Sequence, residues 1–251
     1  MADTEKIRQF AQNVLGLAAK AAPHKPITTK ADLVLSLVHA RCIKAGRAGL
    51  LLCDHGYGED AVGVGRTLYE ATRTFTVLSR DESRMPFYVC WGDFELLRRA
   101  EKIPGWLPPE TVKELQASVA EFAKMGVGFN EKARHWFPGG VFGLAEHIDK
   151  AVGIKADAPG SQQSQYQSWY SVASSFSHAG SISTLWLTPK TDGTLAVSPN
   201  PSGRWVDLAM GLVGKDLCYL ADVSSERWHA GSLQSEIEAN LKLWAEATDQ
   251  A

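Results

Sequence analysis

The stretch Glu59-Asp60-Ala61-Val62-Gly63-Val64-Gly65-Arg66-Thr67-Leu68-Tyr69-Glu70-Ala71-Thr72-Arg73-Thr74-Phe75-Thr76-Val77-Leu78 reads as a long helix. Leu68, Ala71, Phe75 and Leu78 recur at three- and four-residue spacing on one face. Glu59 and Asp60 in its first turn suit the positive end of the helix dipole. On another face Arg66, Glu70 and Arg73 fall within about 60° of one another. A carboxylate between two guanidiniums is a fixed, polarised group. The same spacing also fits a solvated salt bridge worth a few tenths of a kcal/mol.

Helical patterning continues on both sides. Upstream, a helix runs from Thr4 to about Ala22, with Ile7, Phe10, Val14 and Leu15 at helical spacing, until Pro23 and Pro26 end it. A second starts near Thr29, a good N-cap, and continues to Gly56. Downstream, helices are expected over Phe87–Ala100, from Pro109 to near Gly126, from the Pro138-Gly139-Gly140 break to about Val152, and from Ser161 to His178. The pattern then changes. Ser183–Thr188 and Thr194–Val197 are short β-type runs flanking Thr191-Asp192-Gly193, a hairpin signal. Two helices, near Arg204–Asp222 and Ser232–Thr248, close the chain. The expected architecture is mostly α: a single helical-bundle domain over residues 1–251, with a small β-hairpin at 181–200 inserted before the last two helices. Residues 1–28 supply the N-terminal helix and linker, 29–180 the core helices, and 201–251 the C-terminal helices.

Composition narrows the function classes. The chain has 251 residues, 26 Lys plus Arg against 28 Asp plus Glu, a net charge of −2 and 45% hydrophobic residues. That is ordinary for a globular protein and argues against a coat for nucleic acid or a disordered chain. Cys42, Cys53, Cys90 and Cys218 show no zinc or redox spacing and read as buried thiols in a reducing compartment. No basic leader precedes an apolar run, and Gly49–Cys53 is far shorter than the ~20 residues of a membrane helix. The expected location is the cytoplasm. Phosphate-loop, zinc-protease, nucleophile-elbow and EF-hand motifs are absent from the sequence.

A second polar stripe lies on the Ser161–His178 helix. Tyr170, Ser174 and His178 stand at i, i+4 and i+8, spanning roughly 80°, while Trp169, Val172 and Phe176 form the opposite face. An exposed helix face usually carries Lys and Glu. This one carries a phenol, a hydroxyl and an imidazole amid small residues that allow close approach of a neighbour. The stripe fits a functional site facing the Arg66–Glu70 stripe, a buried hydrogen-bond network, or a face turned to water. His39 and Arg41 on the second helix are candidates to join the cluster. His135 beside Trp136 reads as a packed loop.

These residues resemble the bacterial domain-of-unknown-function family 5677, whose members look helical, with an Arg-x3-Glu helix and a later Tyr-x3-Ser-x3-His helix. Here the motifs are Arg66-Thr67-Leu68-Tyr69-Glu70 and Tyr170–His178, and the resemblance runs from about Leu33 to Leu220. Many members have proline after the histidine; Ala179-Gly180 follows here. The family carries no established activity, so the resemblance implies a fold and a choice of residues, not a reaction. A looser similarity is to helical nucleases of the HEPN type, found in toxin and phage-defence systems. Their Arg-x4-6-His spacing is missing: no arginine lies between Ser171 and Ser177.

If the stripes meet, Glu70 orients His178 as general base, Tyr170 or Glu70 serves as acid, and Arg66 supplies a cation for phosphodiester cleavage. Ser174 is a candidate nucleophile, although mid-helix it has no evident oxyanion hole. Arg66, Arg73, His39 and Arg41 are the expected substrate contacts. Glu70 and His178 alone are too few for a metal site, and the sequence assigns no cofactor. The expectation is an uncharacterised helical protein whose polar cluster acts as a hydrolase, a defence- or toxin-type nuclease in particular. The alternative is a non-catalytic module for a small ligand or protein, its cluster a structural network. The partner is a small molecule or RNA and not a membrane. Ile237, Leu241 and Trp244 on one face of the last helix leave packing on the body or on a second subunit open.

Overall fold

In the computed structural model, residues 3–24, 26–158, 160–177, 188–189, 195–196, 203 and 205–248 are described. Helix α1 (Thr4–Lys20) is capped by Asp3, whose carboxylate accepts from Lys6 N–H. Helix α2 (Lys30–Asp54) starts at the expected cap: Thr29 Oγ1 accepts from Asp32 N–H at 3.0 Å. Helix α3 (Gly58–Arg80) holds the Arg-x3-Glu segment. Helices α4 (Met85–Lys102) and α5 (Pro109–Lys124) pair with each other. Helix α6 (Gly140–Val152) follows the Pro-Gly-Gly break.

The next helical stretch is three pieces in line. Helix α7 (Gln162–Gln165) passes through a π turn at Tyr166–Tyr170 into α8 (Ser171–Ser177). Helix α9 (Val206–His229) runs seven residues past its expected end at Asp222, and α10 (Gln234–Thr248) packs back on α1 and α9. The polar run after Asp222 does not break α9, because Ser224 and Ser225 are buried in it and Ser225 Oγ accepts from Leu233 N–H at 3.2 Å.

The core lies where α2, α3 and α9 meet, with α1 against α9. Phe10, Leu35, Phe75, Leu78, Leu217 and Leu220 are fully buried there. Burying each such side chain contributes about 1.5–3 kcal/mol, which makes this the stable part of the molecule. The α4–α5 pair contributes little: Met85 and Cys90 are the buried residues of α4, and Leu115 that of α5. Among the described residues no helix is long and apolar enough to cross a membrane.

The expected β-hairpin is a correction. Among the described residues the fold is helical but for one short antiparallel pairing, Thr188 with Ala196 and Pro189 with Leu195. Pro189, one of the four paired residues, has no N–H to give to a ladder. Two residues a side do not make a structural hairpin, against ordinary strands of about 5–6 residues. The Asp192-Gly193 turn lies outside the described residues.

Candidate functional site

The gap between α4 and the α2–α3 pair is a cleft of about 560 Å³. Its walls include Arg41 from α2, Arg66 and Glu70 from α3, Trp91 and Arg99 from α4, and His135 from the segment before α6. The cleft exists because α4 spends its packing on α5 and leaves its other face open. The 135–138 segment is held against α6 by a tight turn. Gly139 and Gly140 have φ of 78° and 66°, and a Cβ at Gly143 would lie 2.0 Å from the Pro138 carbonyl oxygen.

That turn aims His135. Phe137 N–H donates to His135 Nδ1 at 3.0 Å, so the proton of the neutral ring sits on Nε2. Nε2 faces Glu70 Oε1 at 3.7 Å, beyond hydrogen-bond length. The His135 imidazole is the largest influence holding the Glu70 carboxyl below its usual range; burial opposes it, and Arg66 and Arg41 add to it. Arg66 and Glu70, one turn apart on α3, therefore share a face as the spacing predicts. The Arg66 guanidinium also stands over the Tyr170 ring, 5.1 Å from its centroid. Arg66 Nε and His135 Nε2 are both buried with no hydrogen-bond partner among the described residues. Glu95, the other carboxylate of the cleft, is paired with Arg98 and Arg99.

Tyr170 is buried against α3, as the stripe-to-stripe reading requires. Its ring stacks on Tyr166 at 4.8 Å and tilts toward Tyr69 at 5.5 Å. Burial pushes the Tyr170 phenol up, and the Glu70 charge adds to that, while Arg66 works the other way. Among the described residues of this helix segment Tyr170 and Ala173 are buried, whereas Trp169 and Val172 are half-buried. Ser174 is half-buried and does not line the cleft. His178 lies outside the described residues.

Arg73 and His39 stand apart from the cleft. Arg73 is 1% exposed and its donors are used: Nε to Gln162 at 2.7 Å, Nη2 to Gln165 at 2.8 Å, and Nη1 to Thr72 and to the Asp216 carboxylate. Burial is the largest single influence and works against the Arg73 charge, but Asp216, Tyr69 and Tyr219 together outweigh it and hold the guanidinium pKa above its usual value. Arg73 thus fastens the start of α7 to α3 and α9. Tyr69 O–H, donating to Gln162 O at 2.8 Å, and Asp149, accepting from Gln162 and Gln163 N–H, complete that anchor. His39 is 3% exposed and packs edge-on to Phe75 and Trp228; burial pulls its pKa to about 4. Arg41, two residues on, does reach the cleft.

The sequence reading missed His135, taken there as loop packing, together with the aromatic wall of α4. Its one available signal was the His135-Trp136 pair next to a Pro-Gly-Gly turn, because such a turn fixes side chains in space. Among the described residues no three His, Cys, Asp or Glu side chains gather as a metal site.

Compared with known families, residues 32–192 match a family of unknown function (DUF5677). Comparison with curated proteins and with solved structures gave no match.

Proposed function

The chain belongs to the family DUF5677, a membership that brings no reaction with it, and from the chemistry of the cleft we propose that it binds a small anionic ligand. The observation that carries this is Arg66. Its Nε is a buried donor left without a hydrogen-bond partner among the described residues, at the edge of a cleft that Arg41 also lines. A buried unpaired donor costs about 1–3 kcal/mol, and a phosphate or carboxylate oxygen would recover it. Guanidinium groups suit such oxygens because their donors are coplanar and forked.

The Glu70–His135 pair supports binding over acid–base work. A carboxyl held below its usual range is a weak proton acceptor. The second reading, a nuclease-type hydrolase using Glu70, Tyr170, Ser174 and His178, draws on Arg66 standing near both Glu70 and Tyr170.

Titration of the full chain with ribose 5-phosphate separates the two. Saturable binding is expected, weakened at least about tenfold by Arg66→Ala and strengthened by Glu70→Gln, which removes a repelling charge. Unchanged binding in Arg66→Ala would refute the proposal. Cleavage of single-stranded RNA that Glu70→Gln abolishes would replace it with the hydrolase reading.

A further inference from the structure

Resting on that reading of the cleft as an anion site, we infer that its ligand is a nucleotide, with the phosphate on Arg41 and Arg66 and the planar base over Gly92. Gly92 lies inside α4, where a glycine weakens a helix relative to alanine. Neither packing nor backbone geometry accounts for it. Nothing lies within 4 Å of where its Cβ would stand, and its φ is not in the left-handed region. What the missing side chain does is leave a bare floor in the cleft.

The surroundings of that floor on α4 include aromatic and apolar side chains beside the Glu95–Arg99 pair. Tyr88, Trp91, Gly92, Leu96 and Arg99 recur along one side of α4 and all line the cleft. Leu96 is 39% exposed there, and Trp136, 5.4 Å from Tyr88 between ring centroids, closes the far side. A flat heterocycle fits such a gap, because every base offers a π-face to neighbouring aromatic rings. The volume, about 560 Å³, lies within the range of small-molecule sites. A bare phosphate would use the arginines and leave the α4 wall unused; a nucleotide uses both.

Calorimetric titration of the full chain compares adenosine monophosphate, ribose 5-phosphate and a pentameric adenylate RNA, on wild type and Gly92→Leu. Adenosine monophosphate is expected to bind about tenfold or more tighter than ribose 5-phosphate, the difference being the base. Gly92→Leu is expected to melt no lower than wild type, because leucine is the better helix former. It should lose the nucleotide advantage while keeping ribose 5-phosphate binding within about twofold. The RNA identifies the source: tighter binding than the mononucleotide, lost with Gly92→Leu, means a nucleotide within a strand, and weaker binding means a free one. If ribose 5-phosphate binds and the base adds nothing, or Gly92→Leu leaves the advantage intact or removes both ligands, the inference fails and the anion site stands. If neither phosphate binds wild type, both fail.

Discussion

Replacing Asp216 by Asn tests the buried ion pair that joins α3 to α9. Arg73, 1% exposed, would keep its charge and lose its only carboxylate partner in that pair. Its bonds to Gln162, Gln165 and Thr72, at 2.7, 2.8 and 2.8 Å, would remain, but these are neutral acceptors. Leaving one charge of a buried pair uncompensated costs about 3–5 kcal/mol. For a chain of this size that lowers the melting temperature by roughly 6–20 °C. The assay is urea unfolding, read as a shift in midpoint at constant slope. The double variant Arg73→Met/Asp216→Leu removes both charges, so it should be far more stable than the sum of the two single changes, with a coupling of about 2 kcal/mol or more. Some cost will persist, because the Gln162 and Gln165 amides lose their partner. A loss under about 1 kcal/mol in Asp216→Asn, or a double variant equal to the sum of the singles, would refute the reasoning.

Acid should destabilise the fold through His39. Its folded pKa of about 4 lies below the unfolded value of 6.5, so the unfolded chain gains the proton first. Stability is full above pH 6.5 and falls through the window down to about 4. The loss approaches about 3 kcal/mol at the bottom of that window, and His39→Phe should flatten this part of the stability–pH curve. Gly143→Ala forces the Pro138 carbonyl away and should cost about 1–3 kcal/mol while altering the His135 imidazole resonances in NMR. The four thiols, all buried, should resist alkylation in the native protein and react after denaturation.

How much was legible follows the range of the forces involved. Helix existence is local: Thr29 caps α2, Pro109 opens α5, and Gly139 caps α6 where the sequence indicates. The inward turn of Tyr170 and its meeting with Arg66 were readable from helical spacing on two segments. The π turn at Tyr166–Tyr170 was not, because it depends on what the helix packs against. Arg66, Glu70 and Arg73 share a stripe, yet one turn of α3 separates a cleft residue from a core residue. Periodicity gives a direction around the axis; what stands there depends on α9 supplying Asp216 to Arg73 and the 135–138 segment supplying His135 to Glu70. Both partners are far away in sequence, which is why His39 also looked like a site residue and is packed between Phe75 and Trp228. The hairpin was read from two β-type runs around Asp192-Gly193; among the described residues it amounts to the pairing of Thr188 and Pro189 with Ala196 and Leu195.

The sparse burial on α4 and α5 divides the cleft into walls of unequal stability. The α3 wall belongs to the core, and its amides should exchange with solvent only when the whole fold opens. The α4 wall has few side chains holding it, so residues 85–124 form a unit whose local opening is easier. A ligand touching both walls would favour the closed arrangement of that unit by mass action. Occupancy would then be recorded as slower hydrogen exchange along α5, which does not line the cleft.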